Sequence, residues 1–131
     1  MFSYAEYKNI ITLVKQNLPI MDFSEVNDEV NSFCVLRHDI EFSIDRALQM
    51  ANIEHHDLNV HSTYTVQLRN NTYNALSQKN IEAIQEIESM GHYIGLHQNP
   101  PMMEDEELVD YILKDIDCLL YTSPSPRDFT E

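Results

Sequence analysis

The chain has 131 residues, a length that serves one hydrophobic core and excludes a multidomain protein. Hydrophobic residues make up 43% of it and charged residues 23%, which is the composition of an ordinary globular protein rather than of a disordered or collagen-like chain. Eight Lys and Arg against 22 Asp and Glu give a formal net charge of −14. Because this charge would repel a phosphate backbone, we expect no nucleic-acid partner.

The sequence also bears on the compartment. No segment approaches the roughly 20 consecutive apolar residues that a membrane span requires. Glu6 and Lys8 lie where a secretory signal would need its apolar core. The two cysteines, Cys34 and Cys118, are too few for a disulfide framework. We therefore expect a cytoplasmic protein with no membrane span.

The first half of the chain predicts a helix, a strand and a second helix. Residues 3–6 have the spacing of a capping box, and apolar residues then recur every three or four positions until Pro19. The apolar run at residues 33–36 is typical of a strand buried on both faces, so we expect Cys34 to be an inert core thiol. Ser43 is placed to cap the second helix, which we expect to end near residues 55–57.

The second half continues the alternation of strands and helices. We predict a strand at residues 60–66, a helix that begins at Asn80 and is closed by Gly91, a strand at residues 92–96, and a fourth helix over residues 104–117. This order favours right-handed βαβ units and therefore an α/β fold with a parallel sheet or barrel. In such folds, binding sites form at the carboxyl ends of the strands.

Polar residues follow two of the predicted strands. Arg37, His38, Asp39 and Glu41 come after the first, and His97 comes after the third. Neighbouring parallel strands would bring these residues together at one edge of the sheet. A carboxylate and an imidazole that converge there are a plausible metal-binding pair. A structural His–Asp hydrogen bond would leave the same pattern in the sequence, so spacing alone leaves both interpretations open.

Two motifs give the chain a family resemblance. LRHDIE at residues 36–41 and GHYIGLH at residues 91–97, with Thr63 and Tyr64 in the strand between them, resemble the polysaccharide deacetylase-like family with the NodB homology fold. The match covers residues 33–100. It implies that the chain is the N-terminal part of a distorted (β/α) barrel with parallel strands. The implied activity is metal-dependent hydrolysis that removes an acyl group, such as N-acetyl, from a carbohydrate or glycoconjugate.

The resemblance also implies a role for each matching residue. Laid over the family's Thr-Phe-Asp-Asp-Gly motif, His38 takes the position of the general base and Asp39 that of a metal ligand, and we count both as candidate catalytic residues. His97 matches the first histidine of the family's second metal-binding motif, whereas Pro101 stands where the second histidine belongs. Glu41 is then a candidate third ligand for the divalent metal, for which Zn²⁺ is the expected ion.

Three further expectations complete this interpretation. Arg37 is a candidate for substrate binding and for pairing with a carboxylate in the site, with an ordinary surface ion pair as the alternative. The family's proton donor for the leaving amine belongs to a later motif, so we expect residues 1–117 alone to be inactive. A catalytically dead carbohydrate-binding or assembly module of the same fold is the alternative to an enzyme.

The last residues break the preceding pattern. The string CLLYTSPSPRD at residues 118–128 resembles the translation of a transposase sequencing adapter. We therefore expect residues 118–131 to be a non-native tail and residues 1–117 to be the N-terminal portion of a longer polysaccharide deacetylase-like domain.

Overall fold

The computed structural model describes residues 2–99 and 102–122, and this part of the chain forms a mixed α/β structure with parallel strands and four α-helices. In chain order the elements are α1 (Tyr4–Asn17), β1 (Ile20–Met21), β2 (Cys34–Val35), β3 (Arg37–Ile40), α2 (Ile44–Asn52), a π-helix (Ile53–Leu58), β4 (Thr63–Val66), α3 (Gln78–Ser89), β5 (Tyr93–Leu96) and α4 (Asp105–Thr122).

The strands form two separate parallel sheets. Strands β3, β4 and β5 pair in sequential order, and β1 pairs with β2. The predicted α/β fold with a parallel sheet is thus confirmed. Within residues 2–99 and 102–122 the strands do not close into a barrel. None of the helices in these ranges is long and apolar enough to cross a bilayer.

Side-chain caps fix the starts of the first three helices, two of them where the sequence predicted. Ser3 Oγ accepts a hydrogen bond from the Glu6 backbone, and the Glu6 carboxylate accepts one from the Ser3 backbone, so the predicted capping box is confirmed. Ser43 Oγ accepts from the Arg46 backbone and begins α2. Helix α3 begins two residues before Asn80, with Ser77 as its cap. Gly91 follows the end of α3 with a φ of +96°, a conformation that glycine adopts without strain.

The prediction of a first strand buried on both faces was wrong. Cys34 and Val35 are half-buried, so Cys34 is not a core thiol, and they pair with a strand at residues 20–21 that we did not predict. The sheet strand lies later, at Arg37–Ile40, where Ile40 is buried while Arg37 is exposed. Exposed residues alternate with more buried ones along it, the pattern of a strand with only one buried face.

The core lies between one face of the three-stranded sheet and the helices. Side chains from β3, β4 and β5 pack there against α2 and α3; the fully or almost fully buried members are Ile40, Ile44, Ala51, Tyr64, Val66, Ile84, Ile87 and Ile94. A smaller cluster beneath α1 contains Tyr7, Ile11, Leu58 and Val60. The helices therefore cover one face of the sheet, and the opposite face carries the candidate site.

Helix α4 extends beyond the predicted end at residue 117. It runs to Thr122, so the first five residues of the adapter-like string form its last turns. Leu119 is only 1% exposed and belongs to the core. The helix continues because Asp115, Leu119 and Thr122 recur at helical spacing on its buried side. Residues 123–131 lie outside the described residues.

Candidate functional site

One face of the three-stranded sheet is polar. In the parallel register, Asp39 of β3 lies beside Thr65 of β4 and Gly95 of β5, and a row of Arg37, Thr63 and Tyr93 lies next to it. Alternate side chains of a strand point to opposite faces, so these two rows share one face. Gly95 leaves a space beside Thr65 that a Cβ atom would fill, at 3.6 Å from Thr65 Cγ2.

Asp39 is held as a carboxylate on this polar face. Its Oδ1 atom accepts hydrogen bonds from Thr65 Oγ1 and from Arg37 Nε, each at 2.7 Å. The Thr65 hydrogen bond, followed by the hydrogen bond and charge of Arg37 and by the charge of His97, lowers the pKa of Asp39 below its usual value, against a smaller opposing effect of burial. Arg37 thus makes an ion pair with Asp39, a carboxylate of the candidate site.

His97 lies just beyond the carboxyl end of β5. Its backbone N–H donates to the carbonyl of Val66 at 2.9 Å, which continues the pairing of β4 and β5 by one residue. Two positions after Gly95, it shares the polar face with Asp39. Its Nδ1 atom is buried and has no hydrogen-bond partner within residues 2–99 and 102–122. A buried ring nitrogen without a partner is an atom that a ligand would satisfy.

The donor set of this pair suits a divalent metal. Carboxylate oxygen and imidazole nitrogen are the ligands that Zn²⁺ takes in hydrolytic sites, so Asp39 and His97 fit as two of its ligands. In the described part of the chain, no three His, Cys, Asp or Glu side chains lie close enough together to hold one ion, so Glu41 does not complete a three-residue set there. Pro101, at the position of the family's second histidine, lies outside the described residues.

His38 lies on the other face of the sheet from Asp39. Its Nε2 atom is 2.8 Å from Glu54 Oε2, and its ring lies 4.8 Å from that of Tyr64, its register partner in β4. The sequence placed His38 and Asp39 side by side as candidate catalytic residues. In the strand they are adjacent along the chain and their side chains point in opposite directions.

Glu54 is the centre of a buried polar network that sequence reasoning missed. Its side chain is fully buried in the π-helix. The carboxylate accepts hydrogen bonds from four groups, which are Tyr7 Oη and Tyr64 Oη at 2.5 Å each, Ser62 Oγ at 2.7 Å and His38 Nε2. One signal was present in the sequence, since position 54 continues the apolar stripe of α2 at helical spacing. A carboxylate on such a stripe requires buried partners.

Opposing effects act on the pKa of Glu54. Burial alone would raise it, but the hydrogen bond and charge of His38 and the hydrogen bonds of Tyr64 and Tyr7 bring it below its ordinary value. Glu54 is therefore a buried anion. Burial and the neighbouring Glu54 carboxylate in turn raise the pKa of Tyr7 and of Tyr64, which keeps both phenols protonated as donors.

The other histidine of the GHYIGLH motif has a structural role. His92 is fully buried; its Nδ1 accepts from the Ser62 backbone and its Nε2 donates to the Ala51 carbonyl, both at 3.0 Å. Burial lowers the pKa of His92, so the ring is neutral and links α2 to Ser62, the residue before β4. Of the two histidines in this motif, only His97 is available to a ligand on the polar face.

Two cavities open at the carboxyl end of the sheet. One, of about 370 Å³, is lined by His38, Asp39 and the first turns of α2. The other, of about 400 Å³, is lined by the loop after β4 and by His97. Glu41 and Phe42 line both. The sheet edge where parallel α/β folds bind ligands thus has room for one here.

No protein-family model, curated protein or solved structure matches this chain. The fold and the geometry of its polar face are therefore the basis for a functional conclusion.

Proposed function

We propose that this chain is part of a metal-dependent hydrolase of the polysaccharide deacetylase-like type, which removes an acyl group such as N-acetyl from a carbohydrate or glycoconjugate in the cytoplasm. The observation that carries the proposal is that Asp39 and His97 follow the same face of a parallel sheet, near the edge where such sheets bind ligands, and that the charge of His97 acts on Asp39. The resemblance of the motifs at residues 36–41 and 91–97 to that family supports it.

The sequential order of the strands is consistent with the fold of that family. Strands β3, β4 and β5 are parallel neighbours in chain order, with helices on one face, as in the successive βα units of a barrel. We propose that this open sheet is the N-terminal portion of a distorted (β/α) barrel. The polar face that carries Asp39 would then be the interior of the barrel.

Asp39 and His97 would hold the divalent metal, for which Zn²⁺ fits the donor set. When bound, such an ion lowers the pKa of a water molecule and polarises an acyl carbonyl. Thr65 and Arg37 keep Asp39 ionised and fix its orientation through their hydrogen bonds to Oδ1. These two residues are therefore positioning residues for the metal ligand.

The general base comes from the polar face in this proposal. Both His38 and Asp39 line the first cavity, but the His38 side chain points to the opposite face of the sheet and its Nε2 atom is bound to Glu54, so we assign the base to another residue. Glu41 lines both cavities at the carboxyl end of β3 and is the carboxylate available for that step. It would act as a base rather than as the third metal ligand.

Calorimetric titration of the whole chain with Zn²⁺ tests the metal pair. We expect one ion per chain, with affinity at least tenfold lower in Asp39→Ala and in His97→Ala. His56→Ala is the matched control, because His56 is an exposed histidine on the π-helix, outside the candidate site. Circular dichroism verifies that each variant folds. Equal Zn²⁺ affinity in all four proteins would overturn the proposed metal site.

One observation favours a second function. Because no three candidate ligands lie together among the described residues, a catalytically dead carbohydrate-binding or assembly module of the same fold is the alternative. The same titration separates the two functions, since a dead module would show no Zn²⁺ binding that depends on Asp39 and His97.

A further inference from the structure

One buried carboxylate of α4 contacts both chain segments that border the candidate site. The Asp115 side chain is only 7% exposed. Its Oδ1 atom accepts a hydrogen bond from Arg69 Nε at 3.1 Å, and its Oδ2 atom accepts one from Gln98 Nε2 at 3.3 Å. Arg69 lies in the loop after β4, and Gln98 lies in the segment after β5. The two oxygens of Asp115 therefore join two different connections of the sheet to one helix.

Helix α4 holds Arg69 with a second residue as well. The guanidinium carbon of Arg69 lies 3.9 Å from the centre of the Tyr111 ring. Tyr111 precedes Asp115 by four residues, so both lie on the same side of α4. Because Arg69 is half-exposed, its ion pair with Asp115 contributes little to stability. The main effect of these contacts is that they fix the Arg69 side chain from two directions.

The hydrogen bond to Gln98 restrains the chain directly after His97. The backbone N–H of His97 itself donates to the Val66 carbonyl at 2.9 Å, at the end of the pairing of β4 with β5. Among the residues that the structure describes, the side chains of residues 97–99 make no hydrogen bond other than that of Gln98 with Asp115. The backbone at His97 thus has two anchors, which are the sheet and helix α4.

Asp115 acts on the candidate site only through these two neighbours. Arg69 and His97 line the same cavity of about 400 Å³, whereas Asp115 is not one of the residues that line it. A metal ligand needs surrounding contacts that fix its orientation. Within the described ranges the His97 ring has no hydrogen-bond partner at Nδ1 that would fix it directly. The position of its backbone therefore sets where the ring lies.

We propose that Asp115 is a positioning residue of the candidate metal site, which sets the place of His97 through Gln98 and that of the loop after β4 through Arg69. The inference rests on the proposed function, because it takes His97 to be a metal ligand. It gives α4 a role in the site, although no residue of that helix lines the cavity that contains His97.

Three substitutions separate a positioning role from a merely structural one. Asp115→Ala removes both hydrogen bonds, and Gln98→Leu removes only the one next to His97. Asp115→Asn should preserve the contact with Gln98. The reason is that Gln98 Oε1 is buried without a partner in the described residues, so it can accept from the new amide once the Gln98 side chain turns over. Asp110→Asn is the matched control, since Asp110 is an exposed aspartate of the same helix.

Nitrogen-15 relaxation-dispersion spectra of the metal-free chain measure how firmly residues 97–99 are held. We expect microsecond-to-millisecond exchange there in Asp115→Ala and in Gln98→Leu. Asp115→Asn and Asp110→Asn should match the unsubstituted chain. Circular dichroism verifies that each variant folds, and Gln98→Leu provides the same test if Asp115→Ala does not fold.

Calorimetric titration with Zn²⁺ then measures the consequence for the metal site. Because Asp115 acts through Gln98 rather than on the ring, we expect Zn²⁺ affinity to fall about three- to tenfold in Asp115→Ala and in Gln98→Leu, less than the usual loss for a direct partner of a ligand. Asp115→Asn and Asp110→Asn should stay within about twofold of the unsubstituted chain.

Two results would overturn the proposal. One is an unchanged backbone at residues 97–99 in Asp115→Ala and Gln98→Leu, even with lower stability, because Asp115 would then be only a structural tie. The other is equal Zn²⁺ affinity in Gln98→Leu and Asp110→Asn while His97→Ala still loses the ion. If His97→Ala does not alter Zn²⁺ binding, the proposed metal site is wrong, and the metal-free spectra still decide whether Asp115 positions His97.

Discussion

The buried carboxylate of Glu54 gives the sharpest prediction about stability. Its hydrogen bonds join the π-helix to α1 through Tyr7, to β3 through His38, and to β4 through Ser62 and Tyr64. The substitution Glu54→Gln keeps the size of the side chain but replaces an anion that only accepts hydrogen bonds with a neutral amide whose nitrogen only donates. At least one of the four donors would then face another donor.

The magnitude follows from the number of bonds lost. A hydrogen bond to a charged group contributes about 1.5–3 kcal/mol, and removing one partner of a buried charged pair costs about 3–5 kcal/mol. We expect Glu54→Gln to lower the free energy of unfolding by about 4 kcal/mol, a large share of the roughly 5–15 kcal/mol typical of a domain. Tyr7→Phe removes one donor and leaves the anion with three, so we expect a loss of about 1–2 kcal/mol.

Urea denaturation followed by far-ultraviolet circular dichroism measures both variants against the unsubstituted chain. The unfolding slope, which reflects the surface exposed on unfolding, should stay constant while the midpoint shifts. A loss below about 1 kcal/mol for Glu54→Gln, or a loss no larger than that of Tyr7→Phe, would show that the network does not hold these four elements together.

Three further predictions concern acid sensitivity and the GHYIGLH motif. The pKa of Glu54 in the folded state lies below its value in the unfolded state, so the contribution of the carboxylate to stability is complete above about pH 4.3 and is lost as the pH falls through the lowered pKa. The urea midpoints of the unsubstituted chain and of Glu54→Gln should therefore converge as the pH decreases. A gap between the midpoints that stays constant with pH would contradict this. His92→Leu removes the hydrogen bond to the Ala51 carbonyl and leaves the Ser62 N–H without its ring acceptor, and it should cost about 3 kcal/mol in the same assay, whereas a neutral effect would exclude the bridging role. Gly91→Ala places a Cβ at a φ of +96° and 3.0 Å from His61 Nε2, so a loss of about 1–2 kcal/mol is expected; an unchanged midpoint would show that the turn relaxes freely.

Local signals in the sequence predicted the helices and the order of elements. The capping box at Ser3, the cap at Ser43 and the closing Gly91 involve residues close together in the chain, and the structure confirms each of them. The first strand was misplaced because the apolar run at residues 33–36 is a stronger signal than the mostly polar residues after it. Those residues, Arg37–Ile40, lie in the sheet because one of their two faces carries the polar site.

The candidate site was only partly predictable for the same reason. Parallel pairing brings Asp39 and His97 to one face, as the α/β pattern indicated. Successive residues of a strand point to opposite faces of the sheet. Because we expected His38 and Asp39 to follow the first strand rather than belong to it, the sequence did not indicate that they lie on opposite faces. Glu54 draws its partners from three other elements, and their proximity is a property of the fold rather than of any local pattern.

The most direct test of the central claim is to measure whether the His97 ring binds Zn²⁺. Nitrogen-15 resonance spectra of the histidine side chains, recorded during titration with Zn²⁺, report which ring nitrogen binds the ion. We predict that Nδ1 of His97 shifts and saturates at one ion per chain, and that Asp39→Ala abolishes this shift while His56→Ala does not. If the His97 resonances stay unchanged while those of other histidines respond to Zn²⁺, then Asp39 and His97 do not bind the metal. The proposed function as a metal-dependent hydrolase would then be wrong.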